Sequence, residues 1–147
     1  MINSFEDKYK FLSNFYPCRI YYKGVSFPSI EHAYQASKTY NHNTISLISN
    51  LNPDAAGLAK RIGNNPKQTI LRTDWQQVKL IIMEFLLRQK FDQLSLKNKL
   101  IDTGYKQLIE GNYWHDNYWG DCQCKKCKNI VGENNLGKLL MLIRSGL

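Results

Sequence analysis

The chain has no apolar stretch as long as a membrane-spanning helix requires, which is about 20 residues. Its most apolar segment, from Leu80 to Leu87, is interrupted by Glu84. The N-terminal sequence MINSFED contains neither the basic nor the apolar region of a secretory signal peptide. The sequence therefore predicts a cytoplasmic protein that does not act on a membrane.

Internal repeats, low-complexity stretches and long linkers are also lacking. The 147 residues are enough for one ordinary domain with a single core. Apolar residues make up 43% of the chain and charged residues 22%, a balance that excludes an intrinsically disordered protein. We therefore expect a single domain over residues 1–147.

Acidic side chains are the scarcer charged class, with 12 of them against 20 basic ones and a net charge of +8. Such an excess favours anionic partners, namely nucleic acid, nucleotides or phosphorylated metabolites. Plain solubility explains the charge equally well. The basic residues are scattered, and only Lys125, Lys126 and Lys128 form a tight cluster. The pattern does not indicate a long basic track along a duplex, but it is compatible with a phosphate pocket.

The apolar and turn-forming residues predict a compact α+β domain of mostly short helices, with a small β-hairpin near its N-terminus. The hairpin is predicted over residues 18–22 and 25–27, and Ser29 is a candidate N-cap for a helix from Ile30 to Tyr40. Three further helices are predicted over residues 44–49, 52–63 and 95–103, and a short strand over residues 107–110. A long helix is predicted from Thr73, and its apolar face comprises Trp75, Val78, Ile82, Phe85 and Leu86. The apolar face of the last predicted helix comprises Leu136, Leu139, Leu140 and Ile143.

Four polar residues fall on one stripe of the first predicted helix: Glu31, Tyr34, Gln35 and Lys38. A carboxylate, an amine and hydrogen-bonding groups on one face could stabilise positive charge that develops at a sugar carbon. The alternative is a solvated polar face with ordinary charges, which is common on surface helices.

A second candidate segment is the loop from Glu110 to Gly120, which is dense in aromatic and titratable residues. Loops of this composition are more often sites than connectors. Trp114 or Trp119 could stack on a base, and Asp116 could act as a general base or an electrostatic partner. The alternative is a loop whose tryptophans cap the core.

Three of the four cysteines lie in one segment, Cys122-x-Cys124-x-x-Cys127. Disulfide frameworks of secreted domains are spread along the chain, so this spacing favours a metal or redox cluster. A structural zinc needs four ligands, and His115 or Cys18 could supply the fourth. The alternative is that these residues are reduced structural thiols.

Two long motifs resemble those of the NADAR family. The first comprises residues 9–17, YKFLSNFYP, and residues 27–38, FPSIEHAYQASK. The second comprises Trp119-Gly120 and residues 135–144, NLGKLLMLIR. The resemblance extends from Phe5 to Arg144 and implies a small α+β N-glycosidase. Its implied substrates are ribosylamino-pyrimidine phosphates of riboflavin synthesis or guanine bases that carry ADP-ribose.

The resemblance also implies which residues form the site. Glu31 matches the acidic residue of the family's site, and other pocket positions match Asn14, Lys38, Asp116 and Trp119. We further predict substrate contacts from Phe15, Tyr34 and Glu110. The family often has Gly-Arg after its third helix, whereas this chain has Gly63-Asn64, and Lys60 or Arg61 is the alternative group for holding a phosphate.

The expected reaction is hydrolysis of a ribosyl–base bond through a centre with oxocarbenium character. Glu31 would stabilise that cation or activate water, with Asp116 as its partner acid or base, or Lys38 would form a Schiff base with the opened sugar. No cofactor is expected to be required for catalysis, beside the possible structural zinc. The rival interpretation is a non-catalytic module that binds ADP-ribose or nucleic acid and is stabilised by zinc at its cysteine segment.

Overall fold

In a computed structural model that describes residues 1–147, the chain divides into two units. The terminal unit comprises Met1–Ser13 and Gln93–Leu147, and the central unit comprises Asn14–Asp92. The expectation of one domain over residues 1–147 stays a prediction. No helix in either unit is long and apolar enough to cross a membrane.

The central unit opens with the hairpin that the sequence predicts. Its antiparallel strands are β1, Pro17–Tyr22, and β2, Val25–Ser29. The turn between them is made by Lys23 and Gly24, which both have positive φ, at 49° and 80°. Two consecutive residues with positive φ give the turn whose twist matches that of the flanking strands.

The first helix, α1, spans Ile30–Ala36 and begins where the sequence places it. Ser29 is the N-cap, and its hydroxyl accepts the backbone N–H of His32. The predicted end at Tyr40 is wrong, because the chain turns at Ser37, whose hydroxyl donates to the carbonyl of Tyr34 at 2.6 Å. All seven residues of α1 are buried, so the helix runs through the interior.

The remaining helices of the central unit are α2, His42–Ser49, α3, Ala56–Gly63, and α4, Trp75–Asp92. The predicted start of α3 at Asn52 is wrong. Residues 52–55 instead form a turn in which the N–H of Ala55 donates to the carbonyl of Asn52. The same carbonyl lies 3.1 Å from Nε2 of His32, which ties the turn to α1.

The apolar face of α4 differs from the predicted one. Trp75, Ile82 and Leu86 are buried as expected, but Phe85 is 55% exposed. The buried face includes instead Met83, Leu87, Lys90 and Phe91. These positions follow the same helical period one residue further along the chain, so the period was read correctly and its phase was not.

The terminal unit contains α5, Leu94–Ile101, α6, Asn135–Ser145, and two short 3-10 helices, Asp7–Leu12 and Lys125–Cys127. The predicted apolar face of α6 is confirmed, since its four leucine and isoleucine positions are buried. The predicted strand over residues 107–110 is reduced to a single bridge between Leu108 and Ile2. Two strands that the sequence did not indicate, β3, Gly111–Asn112, and β4, Asp121–Cys122, pair in parallel.

The elements together confirm the predicted α+β class. Six α-helices accompany two small sheets, each of two strands. The sheets are too small to form a layer, so most of the buried apolar surface belongs to helices.

Candidate active site

The polar stripe of α1 is buried rather than solvated. Glu31, Tyr34 and Gln35 lie on the helix, and Lys38 lies in the tight turn after it, with its N–H donated to the carbonyl of Gln35. Glu31 is 7% exposed and Lys38 is 8% exposed. The alternative of an ordinary solvated face is therefore wrong, because burying two ionisable groups is costly unless their surroundings compensate for it.

Glu31 is held by its own helix and by the segment before the hairpin. Nε2 of Gln35 donates to Oε1 of Glu31 at 2.7 Å, one helical turn away. The backbone N–H of Glu31 donates to the carbonyl of Asn14 at 3.0 Å. The backbone bond fixes the main chain at Glu31, and the bond from Gln35 orients its carboxylate.

The amine of Lys38 is buried among aromatic and polar groups, and this burial lowers its pKa. Its Nζ donates to Oδ1 of Asn64 at 2.8 Å, and it lies 5.7 Å from the ring centroid of Tyr34 and 6.0 Å from that of Trp75. Burial lowers the pKa of Lys38 to about 8, an effect that the charge of Glu31 opposes and the charges of Lys60 and Lys79 reinforce. About a tenth of this amine is consequently neutral at pH 7, and the neutral form is the one that acts as a nucleophile.

The aromatic wall beside Lys38 is formed by Tyr34 and Trp75. Their ring centroids are 5.1 Å apart and their planes meet at 58°. Both side chains are buried, at 6% and 5% exposure. Tyr34 was predicted as a substrate contact, whereas Trp75 was predicted only as part of a core face.

The two basic residues predicted to hold a phosphate lie in the last turn of α3. Lys60 is half-buried and its charge acts on Lys38, while Arg61 is exposed. Asn64, at the C-cap of α3, is the partner of the Lys38 amine. Asn64 therefore supplies an uncharged acceptor to the Lys38 amine.

Asn14 and Phe15 lie just before the hairpin. Asn14 is buried, its Nδ2 lies 3.6 Å from Sδ of Met83, and its Oδ1 has no hydrogen-bond partner. A buried oxygen without a partner is unusual in a folded protein and is available to a hydroxyl donor. Phe15 is 43% exposed, as a ring that contacts a substrate can be.

In the terminal unit, the carboxylate of Asp116 organises its own loop. Its Oδ1 accepts the backbone N–H groups of Tyr118 and Trp119, at 3.1 and 2.8 Å. The indole of Trp119 packs edge-on against the ring of Tyr118, with centroids 4.8 Å apart. Asp116 and Trp119 are half-buried, as is Glu110, whose Oε2 is fully enclosed.

The cysteine segment and His115 come together in the same unit. One ligand atom from each of His115, Cys122, Cys124 and Cys127 lies within 4.8 Å of the others, so the group could hold a metal ion. Of the two candidates for a fourth ligand, His115 is the one in the cluster. Cys18 belongs to the central unit and is partly buried beside Lys90, whose charge opposes the burial that raises the pKa of this thiol.

The structure thus groups the predicted site residues within each unit. Asn14, Phe15, Glu31, Tyr34, Lys38, Lys60 and Arg61 belong to the central unit, and Glu110, Asp116 and Trp119 belong to the terminal unit. The sequence placed Gln35 on the polar stripe without assigning it a role, and it did not indicate Asn64 or Trp75 as members of the site. The spacing of four residues between Glu31 and Gln35 indicates a contact on one helix face. The contact of Asn64 with Lys38 joins residues 26 positions apart, so the sequence contains no signal for it.

Comparison with known proteins gives a consistent result. The model of the NADAR domain matches residues 2–147. The N-glycosidase YbiA of Escherichia coli is 34% identical over 145 residues, which are 98% of this chain and 85% of that protein. A riboflavin biosynthesis protein of Vibrio vulnificus is 34% identical over 143 residues, and this chain spans only 36% of its length.

A solved structure is similar as well. The NMR structure of E. coli YbiA superimposes with a TM-score of 0.79 at 31% identity, over 99% of this chain and 86% of that one. The likeness therefore covers the fold and the sequence together, over both units of the chain.

Proposed function

The chain belongs to the NADAR family, and we propose that it is an N-glycosidase that cleaves the bond between a ribosyl carbon and the nitrogen of a base. Relatives named as N-glycosidases support the class of reaction. The observation that carries the proposal is the buried pair of Glu31 and Lys38, whose charges interact on one face of the central unit.

The environment of this pair suits attack by the lysine amine. With its pKa lowered to about 8 by burial, Lys38 is partly neutral at neutral pH, whereas an exposed lysine is almost entirely protonated. In this route the C1–O4 bond of the ribose breaks, O4 takes a proton, and the electron pair of the base nitrogen forms a C1=N bond. The amine of Lys38 then adds to C1. The C1–N bond to the base then breaks, and the base leaves with a proton. Water adds to the resulting C1=N bond, releases the sugar as an aldehyde and restores the amine.

Glu31 has a part in either route to hydrolysis. In the lysine route it takes the proton from the attacking amine and returns one to the departing base. In direct hydrolysis it stabilises the oxocarbenium-like carbon or removes a proton from the attacking water, and Lys38 then serves as a fixed positive charge. Gln35 would hold the carboxylate in place, and the unpartnered Oδ1 of Asn14 would accept a hydrogen bond from a sugar hydroxyl.

The proposed substrate carries ribose phosphate on a pyrimidine amine or on guanine. Two relatives bear riboflavin biosynthesis names, which favours a ribosylamino-pyrimidine phosphate, although this chain spans only 36% and 20% of their lengths. A guanine base modified with ADP-ribose presents the same kind of bond together with phosphates. Lys60 and Arg61, at the end of α3, are the candidate phosphate contacts.

The proposal is tested by incubating the full chain separately with a ribosylamino-pyrimidine phosphate and with a DNA oligonucleotide that carries ADP-ribosylated guanine. Chromatography with mass detection would follow the free base and the free sugar phosphate. We expect release from the first substrate, and a loss of at least about a hundredfold in kcat for Glu31→Gln, the low end for a positioned acid–base group. Glu84→Gln removes a carboxylate from an exposed ion pair on α4 and should leave kcat unchanged.

A non-catalytic binding module is the alternative. Its distinguishing result is retention of ADP-ribose or of the oligonucleotide without release of base or sugar from either substrate. Full activity of Glu31→Gln would instead show that the reaction takes place elsewhere in the chain.

A further inference from the structure

We propose that His115, Cys122, Cys124 and Cys127 form a tetrahedral zinc site that fixes the loop carrying Asp116 and Trp119. Nδ1 of His115 lies 3.3 Å from Sγ of Cys127, 3.3 Å from Sγ of Cys124 and 3.9 Å from Sγ of Cys122. Zinc bonds of about 2.3 Å to sulfur and about 2.0 Å to nitrogen, at tetrahedral angles, place such ligand atoms roughly 3.5–3.8 Å apart. The three N–S distances bracket the tetrahedral value, and all four ligand atoms lie within 4.8 Å of one another.

The ligand chemistry selects the metal. Three thiolates and one imidazole suit zinc, whereas magnesium and calcium prefer oxygen ligands. A site closed by four protein ligands is the usual structural type and leaves no position for substrate. Three thiolates and a divalent ion carry a net charge of −1, and Lys125, Lys126 and Lys128 supply positive charge in the same segment.

The surroundings of the ligands are those of a metal site. The backbone N–H of His115 donates to Sγ of Cys122 at 3.3 Å, and Nδ2 of Asn117 donates to Sγ of Cys127 at 3.5 Å. Such donors stabilise thiolates and orient them toward an ion. His115 itself has a φ of 68°, a backbone conformation that is uncommon outside glycine, and its Nδ1 lies beside the three sulfur atoms.

The site encloses the loop. Residues 116–119 lie between the first ligand, His115, and the second, Cys122. Asn117 connects them directly, because its Oδ1 accepts the N–H of Cys122 while its Nδ2 donates to Cys127. At the start of the loop, Oδ1 of Asn112 accepts the backbone N–H groups of Trp114 and Asp116. Since metal binding draws His115 to the cysteines, it also restrains the loop that Asp116 caps.

Metal content is the first measurement. The protein purified under reducing conditions should contain about one zinc ion per chain by elemental analysis, as a structural site holds one ion. Cobalt substituted for zinc should give the visible absorption typical of tetrahedral thiolate coordination. Absence of zinc together with the absence of that cobalt spectrum would overturn the proposal, as would a disulfide between any two of the cluster cysteines in freshly purified, reduced protein.

Variants assign the ligands. His115→Asn tolerates a positive φ but removes the imidazole, and Cys124→Ser removes the less buried thiol. Each should weaken zinc binding by at least about a hundredfold. Loss of a residue that only supports a ligand lowers metal affinity by up to about a hundredfold, and loss of a ligand should cost at least as much. Cys18→Ser is the matched control, because Cys18 is outside the cluster, and it should retain the full zinc content. Equal zinc affinity in all three variants would contradict the assignment.

The effect on the loop is read by hydrogen exchange in the wild-type protein, which avoids variants that fail to fold. Chelation should accelerate exchange at the amides of Trp114, Asp116, Tyr118 and Trp119, and zinc should restore their protection. Unchanged exchange would show that the metal does not fix the loop. Any effect of the metal on turnover rests on the proposed function. Loss of activity on chelation is therefore evidence for that effect only with a substrate that the zinc-loaded protein cleaves. Zinc content and exchange decide the metal site even if no substrate is turned over.

Discussion

At the scale of single residues, the proposed chemistry depends on the amine of Lys38. Its neighbours act in opposite directions, because burial and the charges of Lys60 and Lys79 favour the neutral form while the carboxylate of Glu31 favours the charged one. The hydrogen bond to Asn64 holds the amine in place without adding a negative charge. This combination leaves a lysine that is positioned by an uncharged acceptor and yet remains partly unprotonated.

The role of Lys38 can be tested by Lys38→Arg, which keeps the positive charge but removes the nucleophilic amine. If the amine forms a Schiff base, the variant should lose at least about a hundredfold in kcat, as for loss of a positioned catalytic group. Borohydride should then trap a sugar adduct on the wild-type protein, detectable as added mass on Lys38, and no adduct on the variant. An active variant and an untrapped wild type would assign Lys38 the role of a fixed charge.

The pH dependence of the reaction offers a second test. If the neutral amine is the reactive form, kcat/KM should rise with pH and level off above the pKa of Lys38, which is about 8. Asn64→Asp places a carboxylate where the amide accepts the Lys38 amine, and a charge that close should raise the pKa by about 1 unit or more. The midpoint of the profile should move upward by the same amount. An unmoved midpoint would show that another group sets the profile.

At the scale of elements, the close approach of α3 to α1 supports the carboxylate. A side chain at Gly63 would collide with the amide of Gln35, which is the group that holds Glu31. Gly63→Ala should therefore lower the free energy of unfolding by about 1–3 kcal/mol, the usual cost of overpacking, and reduce turnover as well. Denaturant unfolding and steady-state kinetics measure the two effects.

Gly57→Ala is the matched control for that variant. It lies in the same helix, and its added methyl would meet only the ring of Phe15, at an ordinary 4.0 Å. Alanine is the better helix former by up to about 1 kcal/mol, so stability should be unchanged or slightly higher. Equal losses in both variants would mean that α3 tolerates no substitution and that the contact with Gln35 has no special weight.

The loop of the terminal unit has two possible uses for Asp116, and two substitutions separate them. Asp116→Asn keeps an oxygen that can accept the N–H groups of Tyr118 and Trp119 but removes the acid. Asp116→Ala removes both. If Asp116 acts as an acid or base, kcat should fall by about a hundredfold or more in both variants. If it only caps the loop, kcat of Asp116→Asn should stay near the wild-type value while that of Asp116→Ala falls.

At the scale of the whole molecule, the free energy of unfolding depends on a second buried lysine. Lys90 in α4 is completely enclosed, with its Nζ 5.5 Å from the ring centroid of Tyr16 and 5.2 Å from that of Phe91. Burial lowers its pKa to about 8, and the charge of Cys18 opposes that effect. Above this pH the folded protein has released a proton that the unfolded chain, with an ordinary lysine pKa of about 10.4, still binds.

Stability should therefore rise with pH on account of Lys90. Because the unfolded state binds more protons between the two pKa values, the free energy of unfolding increases through that range. Relative to Lys90→Met, the wild-type protein should gain roughly 1 kcal/mol between pH 8 and 9, since a full proton corresponds to about 1.4 kcal/mol per pH unit. Denaturant unfolding of both proteins at several pH values measures the difference. Parallel curves would show that Lys90 does not titrate in this range.

The sequence by itself determined the features that neighbouring residues encode. The turn at Lys23-Gly24, the N-cap at Ser29 and the apolar face of α6 depend on residues within a few positions of one another, so composition and period were enough to place them. The motifs around Glu31 also indicated the family. The helix ends near Ser37 and Ala55 differed from the predicted ones, because side-chain hydrogen bonds and turns decide where a helix stops or starts.

Only the tertiary structure decided which of these groups are buried and which of them meet. Periodicity gave α4 an apolar face but not its phase, so the exposure of Phe85 and the burial of Lys90 emerged only when the helix was packed. The contact of Lys38 with Asn64 and the approach of His115 to Cys127 join residues far apart in sequence. Such contacts depend on how separate elements dock, and docking is set by the summed packing of many side chains, which no local pattern contains.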